Sequence, residues 1–264
     1  MATGSVWMIA GRWLMRSIGF VSTVFLARLL TPADFGLIAM AMLVIGALQV
    51  LAETGQRQAI IRMREPSRIH YDTAWTIGLL IGLAIFILLI ILAPLAAHQL
   101  DEPRLVGIIR LLALRALIQG FENIGLVDFQ RNLDFRQDVK IMVLTKAVGF
   151  VITIVLAWLL RDYRALIAGT LVGAVSSVAL SYLFSAYRPR FSLAGWREIW
   201  SFSGWALVSH IGLYAGDQVD QAVLSATSDA AVVGTYAVGN ELAVLPTVEL
   251  IVPPFRALYA VYAR

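Results

Sequence analysis

Cysteine is absent from the 264-residue chain. No disulfide, thiolate metal site or cysteine nucleophile can therefore be built from it. Histidine is scarce: His70, His98 and His210 are the whole set, and no two stand at helical ligand spacing. A histidine-built metal site is not expected. Charge is scarce as well, 14% of residues, against about a quarter in soluble domains. Lysine is nearly missing. Lys140 and Lys146 are the only two, and every other cation is arginine, which suits fixed, planar recognition of oxyanions. There is no Gly-rich phosphate loop, no zinc-protease helix and no Gly-x-Ser-x-Gly elbow. Enzymatic chemistry and a bound cofactor are not expected. Asp217-Gln218-Val219-Asp220 supplies half of a two-carboxylate metal site, but no second acidic cluster accompanies it. A nucleic-acid partner would need a basic face outside the apolar segments, and none is present.

What the chain has is apolar residues, 59% of the total, with a mean hydropathy of +0.79. Such a chain cannot cover a water-facing surface with polar groups, and it is equally far from the composition of a disordered one. A helix needs about 20 apolar residues to cross a bilayer. Eight segments approach that length: 5–30, 35–52, 75–97, 105–127, 141–160, 164–186, 202–226 and 232–260. The expected fold class is an all-α polytopic membrane protein. The connections after segments two, four and six carry Arg57, Arg62, Arg64, Arg68, Arg131, Arg136, Lys140, Arg188, Arg190 and Arg197. The opposite connections carry only Arg28, Arg104, Arg161 and Arg164. Ten cations against four place the first set and the N-terminus in the cytoplasm. The stretch 188–200 mixes Phe191, Trp196 and Trp200 with charges. It reads either as an amphipathic helix in the cytoplasmic interface or as the aromatic belt of segment seven.

A shift of 198 residues lays the start of segment seven on the start of segment one. Ser5, Trp7, Leu26, Ala33, Gly36, Ala39 and Val50 then meet identical residues, seven matches over positions 5–50, against roughly four by chance. Both copies read as helix, short turn, helix. Six segments separate them, so the copies share one orientation, as in a parallel repeat about an axis along the membrane normal. The expected organisation is a six-helix bundle over 1–187, an amphipathic linker over 188–201, and the first two helices of a second bundle over 202–264. The expectation is a piece of a protein nearly twice as long, with a natural eight-helix protein as the alternative.

Charges inside spanning segments are costly and mark function by default. Arg12, Arg16, Gly19 and Thr23 form one stripe on segment one. The shift turns them into His210, Tyr214, Asp217 and Gln221, with Asp220 alongside. The first stripe is cationic and the second acidic, in equivalent places where a central cavity would lie. Snorkelling of Arg12 and Arg16 to headgroups and an interhelical ion pair for Asp217 and Asp220 are the structural alternatives. Arg115, Gln119 and Glu122 share a face of segment four, either as an internal Arg115–Glu122 network or as a cavity lining. Lys146, Gly149 and Thr153 make a weaker stripe, with Lys146 free to snorkel. Glu53 and Arg57 stand in the favourable order for a helical ion pair. Asn240 and Glu241 lie inside segment eight, ahead of Pro246, Pro253-Pro254 and Arg256. The prolines would break the helix and free carbonyls for a cavity or hinge.

The run Ala27-Arg28-Leu29-Leu30-Thr31-Pro32-Ala33-Asp34-Phe35-Gly36-Leu37 resembles the first loop of bacterial polysaccharide-biosynthesis flippases. These are the Wzx-type lipid-linked oligosaccharide transporters of the multidrug/oligosaccharidyl-lipid/polysaccharide superfamily. Glu53-Thr54-Gly55 with Gln58-Ala59-Ile60-Ile61 is similar to the end of that family's second helix, and residues 228–236 to the loop opening its second bundle. The resemblance covers essentially the whole chain and implies the N-terminal half of a two-bundle protein in the bacterial inner membrane. It implies a substrate, a glycan on polyprenyl diphosphate turned from the cytoplasmic to the periplasmic leaflet by alternating access. It also implies work alongside a polysaccharide polymerase and chain-length machinery. Arginine can grip a diphosphate bidentately in a low-dielectric cavity, and Arg12, Arg16 and Arg115 are the candidates. Asp217, Asp220, His210 and Glu241 are candidates for ion coupling or gating. The competing readings are a multidrug or cation antiporter of the same superfamily and an inactive, truncated membrane scaffold.

Overall fold

The computed structural model describes residues 2–52, 55–200 and 203–246. Glu53, Pro253, Pro254 and Arg256 lie outside the described residues. Among the described residues the chain is helical with no strand. Eight long helices stand near the eight apolar segments. They are α1 (Ala2–Leu29), α2 (Pro32–Ala52), α4 (Arg68–Gln99), α5 (Leu105–Gly120), α7 (Phe135–Leu160), α8 (Arg164–Phe184), α10 (Ser203–Thr227) and α11 (Ala230–Pro246). Short helices α3 (Gln56–Arg62), α6 (Val127–Arg131) and α9 (Trp196–Trp200) fill the connections at one end. This is an all-α polytopic membrane fold. Four helices are long and apolar enough to cross a bilayer by length and composition: 32–50, Arg68–Gln99, Phe135–Leu160 and Arg164–Phe184. The others carry polar stripes (α1, α10) or run only 16 and 17 described residues (α5, α11).

Two boundaries differ from the sequence expectation. Segment four stops as a helix at Gly120. The chain then turns through a 3-10 turn at Ile124–Leu126 into the short α6, where the Asn123 side chain accepts from Gly125 N at 2.9 Å. The expected interfacial helix over 188–200 is helical only from Trp196 to Trp200. The residues before it form an extended strap that spends its backbone N–H groups on α4. Asp72 accepts from Arg190 N at 2.8 Å, Thr76 Oγ1 from Ser192 N at 3.0 Å and Thr73 Oγ1 from Gly195 N at 3.2 Å. Pro189 and these side-chain acceptors offer the strap a non-helical way to satisfy its backbone.

The turn that opens α2 is a reciprocal cap. Thr31 Oγ1 accepts from Asp34 N at 3.3 Å, while Asp34 accepts from Thr31 N at 2.9 Å. Pro32 occupies the first helical position, where no N–H is needed. The equivalent turn 198 residues on is capped by Asp229, which accepts from Val232 N at 2.9 Å. The two turns meet. A Cβ on Gly36 would lie 1.6 Å from Ala230 O, and one on Gly234 would lie 1.8 Å from Pro32 O. Gly234 is the repeat mate of Gly36 and Ala230 that of Pro32. Each copy thus touches the other with the same pair of positions, as a two-fold relation requires. The missing Cβ atoms let the α2 and α11 backbones touch.

Further along, α10 is fastened to α2. Tyr214 of α10 donates to Leu43 O at 2.7 Å, and Gln221 donates to Ala39 O at 3.0 Å. The mate of that α10–α2 seam is the α1–α11 seam, where Arg16 and Glu241 hold the places of Tyr214 and Leu43. Around α2 the main core gathers Leu37, Met40 and Ile45, Leu89 of α4, Ile109 and Leu112 of α5, and Val233 of α11, all nearly inaccessible. Helix α7 packs on α1 and α8, and α5 on α4 and α8.

Candidate functional site

The cationic stripe of α1 faces a cavity. Arg12, Arg16, Gly19 and Phe20 line an opening of about 460 Å³ together with Asn240 and Glu241 of α11 and Lys146 of α7. At about 1.5 Å rise per residue, Arg16 lies about 21 Å along α1 from its first residue and Arg12 about 15 Å. That depth is long for an arginine side chain to reach back to headgroups.

Arg115 lines a second cavity, of about 320 Å³, inside the first bundle. Ser22 of α1, Gln119 of α5, Thr145, Lys146 and Thr153 of α7 and Ser177 of α8 share it. Lys146 lines both cavities, so the three arginines occupy two adjoining chambers that share this lysine. Arg115, Lys146 and Arg12 have no hydrogen bond or ion pair among the described residues. The Thr145 hydroxyl is buried and unpaired. The inner chamber is lined by two cations, hydroxyls and one amide, with no carboxylate. A charge at the middle of a membrane helix costs roughly 3 kcal/mol even on the mildest scale. An arrangement of uncompensated cations around a polar void therefore suits a ligand that brings negative charge and hydroxyl groups.

Glu122 does not join Arg115. It accepts from Arg57 in a close ion pair and from Ser177 at 3.3 Å. Of the two alternatives for this face, the internal Arg115–Glu122 network does not form: a pair ties α3 to the end of α5 and leaves Arg115 to line the cavity. The acidic stripe of α10 separates into two roles. Tyr214 and Gln221 turn onto the α2 backbone, so half of the stripe is a helix–helix seam rather than a cavity wall. Asp220 accepts from Tyr236 of α11, an interhelical tie with a tyrosine in place of a cation. Asp217 is exposed and has no partner among the described residues. His210 is half-buried, and neither it nor Asp217 nor Asp220 lines either cationic chamber. Glu241 is the one candidate acid that faces the arginines.

The sequence reading left Lys146 as a weak stripe with Gly149 and Thr153. All three line the inner chamber. The i, i+3, i+7 spacing carries this signal, although a lysine in such a stripe can also snorkel. About 17 Å separate Lys146 from the start of α7, and it lines both chambers.

Outside the membrane helices, the strap is a dense polar site. Asp72 is buried, accepts from the Tyr187 hydroxyl and Arg190 N, and lies 3.6 Å from Arg68 Nε. Burial first, and then the Asp72 carboxylate, push the Tyr187 phenol well above its usual range. On the opposite end, Arg104 donates twice to Glu102, at 2.8 and 2.7 Å, and holds that carboxyl below the usual range.

Residues 25–264 match the family model described as polysaccharide biosynthesis protein. Among curated proteins, the lipopolysaccharide biosynthesis protein WzxC of Escherichia coli K12 is 25% identical over 99% of this chain and 54% of its own length. The succinoglycan biosynthesis transport protein ExoT of Rhizobium meliloti is 26% identical over 91% of the chain and 49% of its length. The teichuronic acid biosynthesis protein TuaB of Bacillus subtilis is 21% identical over 82% of the chain and 46% of its length. The chain spans about half the length of these relatives. No solved structure matches it.

Proposed function

Since the chain belongs to the polysaccharide biosynthesis protein family, as a multi-pass membrane protein of it, we propose that it forms the first half of a flippase. The proposed substrate is an oligosaccharide on polyprenyl diphosphate, moved from the cytoplasmic to the periplasmic leaflet of the bacterial inner membrane. The carrying observation is the pair of adjoining chambers that share Lys146 and hold Arg12, Arg16 and Arg115. The printed names of the relatives, which concern lipopolysaccharide, succinoglycan and teichuronic acid, support a polysaccharide cargo.

The chemistry follows from the lining. A diphosphate carries the negative charge that complements these guanidinium and ammonium groups, and a guanidinium grips such oxygens with two parallel N–H donors. The hydroxyls and amides of Ser22, Thr145, Gln119 and Asn240 suit a hydrated glycan, while the polyprenyl chain stays in lipid. Glu241 serves as counter-ion in the empty state and yields to the diphosphate on loading. Nothing in this cycle requires a bond to be made or broken, so the protein acts as a transporter and not an enzyme. Alternating access then separates the α2–α11 contact at one end while the other end closes. A cationic-drug antiporter would need carboxylates where this bundle has arginines, and no observation favours it.

The test uses a strain lacking the gene. Its lipids are labelled from outside with a membrane-impermeant reagent for sugars. The expected result is polyprenyl-diphosphate glycan retained on the cytoplasmic leaflet, released by the full-length gene and not by its Arg16→Ala variant. Unaltered glycan distribution in a strain without a redundant flippase would overturn the reading.

A further inference from the structure

The strap between α8 and α9 carries a surface that transport does not use. Its backbone is pinned on both sides. Asn123 Nδ2 donates to Tyr187 O at 2.7 Å, and Asp72, Thr76 and Thr73 take the N–H groups of Arg190, Ser192 and Gly195. His70 Nε2 lies 2.5 Å from Glu198 Oε2, and Ile199 is buried against Ile60 and Trp75. With the polar backbone turned inward, the apolar side chains are held outward. Phe191 is 75% exposed and Leu193 and Trp196 are each 49% exposed. Phe191 stands edge-on to Trp75 at 5.2 Å and so keeps its direction. These apolar groups sit among Arg188, Arg190 and Arg197, with Arg68 donating to Arg188 O at 3.3 Å. The acids nearby are engaged: Asp72 by the strap itself and Glu198 by His70.

The register of α4 sets the depth of this surface. Its uninterrupted apolar run is residues 77–97, 21 residues or about 31 Å at the helical rise, which matches the roughly 30 Å hydrocarbon core. The nine residues Arg68–Thr76 that precede it reach about 13 Å further, through the headgroup layer. Every α4 residue that holds the strap lies in that extension.

We propose that the strap together with the start of α9, residues 185–199, is a preformed docking surface for the headgroups of anionic phospholipids. Arg190 and Arg197 meet the phosphodiester, while Phe191, Leu193 and Trp196 enter the boundary between headgroup and acyl chain. The Arg190 and Arg197 guanidinium groups make no hydrogen bond among the described residues, and Arg197 lies over the Trp196 ring at 5.7 Å. The cation and the aromatic anchor therefore come as one unit. This surface stands whether or not the chain moves glycan.

The test uses the full chain in nanodiscs of equal parts phosphatidylglycerol and phosphatidylcholine. One lipid or the other is brominated near the carboxyl end of its acyl chains, and Trp196 is read as the difference from Trp196→Phe. Stronger quenching by the brominated phosphatidylglycerol is expected. The preference should fall by about fivefold per arginine removed in Arg190→Gln/Arg197→Gln and survive in the double lysine variant. Both side chains are exposed, so helicity and elution volume should not change. Equal quenching by the two lipids, or a preference that survives the double glutamine variant, overturns the proposal. Relief of quenching by millimolar glycerol phosphate in solution would make this a free-phosphate site and overturn it as well.

Discussion

The reciprocal glycine contact makes a quantitative prediction. Adding a Cβ to Gly36 places it 1.6 Å from Ala230 O, whereas a carbon and a carbonyl oxygen rest at about 3.3 Å. The obstacle is backbone, so no rotamer change relieves it. The α2 and α11 backbones must separate by about 1.7 Å, the difference between those two distances. Overpacking of this kind costs about 1–3 kcal/mol. In a protein that alternates between states closed and open at this end, the whole of that cost falls on the closed state. The equilibrium then moves toward the open one by about 5- to 150-fold. Gly234→Ala should act alike, since its Cβ meets Pro32 O at 1.8 Å. Either substitution forces the same separation, so the double variant should cost little more than one alone, a non-additivity expected of coupled neighbours. The chain lacks cysteine, so spin labels at Pro103→Cys, in the α4–α5 connection, and Ala231→Cys report the displacement of α11 from the helices packed on α2. The expected result is a longer, broader distance distribution in Gly36→Ala, with Gly19→Ala as control because a Cβ there meets nothing within 4 Å. Unchanged distances with an unchanged Tm would refute the contact as drawn, and strict additivity of the two substitutions would refute its reciprocity.

Four further outcomes follow from the site and the strap. Lys146→Met should abolish glycan export at normal protein abundance, because one lysine serves both chambers; export at the native rate would remove Lys146 from the site. Glu241→Gln should tighten binding of inorganic diphosphate by several-fold, measured by calorimetry, because the arginines lose their competing acid. Tyr187→Phe should cost about 1–3 kcal/mol by leaving the buried Asp72 short of a donor, seen as faster tryptic cleavage at Arg188 and Arg190. The Tyr187 phenol is raised above its usual value of 10. Its contribution to strap attachment is therefore complete below that value and lost as pH rises through the higher folded one. The same cleavage assay should show protection still present at pH 10 and lost in more alkaline buffer.

The fold was legible where one physical demand dominates. Long apolar runs have one way to satisfy their backbone in lipid, so the eight helices stand near the segments marked from hydropathy. The repeat was legible because a tight turn and a glycine crossing restrict residue choice twice over, at Thr31 to Gly36 and at Asp229 to Gly234. Partner choice was not legible. Helical spacing puts Arg115 and Glu122 on one face, yet Glu122 pairs with Arg57 from a helix 65 residues away. Spacing likewise puts Tyr214, Asp217 and Gln221 in one stripe, but a stripe does not say which neighbour it meets, and α2 takes the first and last of them. The extended course of the strap, where composition offers an amphipathic helix or an aromatic belt, is hidden for a related reason. Its aromatic and charged residues have an amphipathic composition, while the acceptors that hold it extended, Asp72, Thr73 and Thr76, lie more than 110 residues earlier in the chain.

The repeat also shows how little the frame alone decides. Two seams stand at mate positions beside the axis, one between α1 and α11 and the other between α10 and α2. The second opens on a void of about 630 Å³ lined by Leu43, Val44, Ala47, Leu48, Leu92 and the Tyr214 ring among others. At the mate positions the first carries Glu241 for Leu43 and Arg16 for Tyr214 and faces Lys146. Transfer of an ion into the apolar groove would meet the full desolvation penalty, whereas the cationic groove supplies N–H donors in place of water. A charged headgroup thus has one of the two seams open to it, although the fold presents both. Exchange of Arg16 and Glu241 for Tyr and Leu would give the first seam the side chains of the second. The expected outcome is a folded bundle with normal abundance and no export. Retained export from that variant would show that headgroup entry does not depend on this difference.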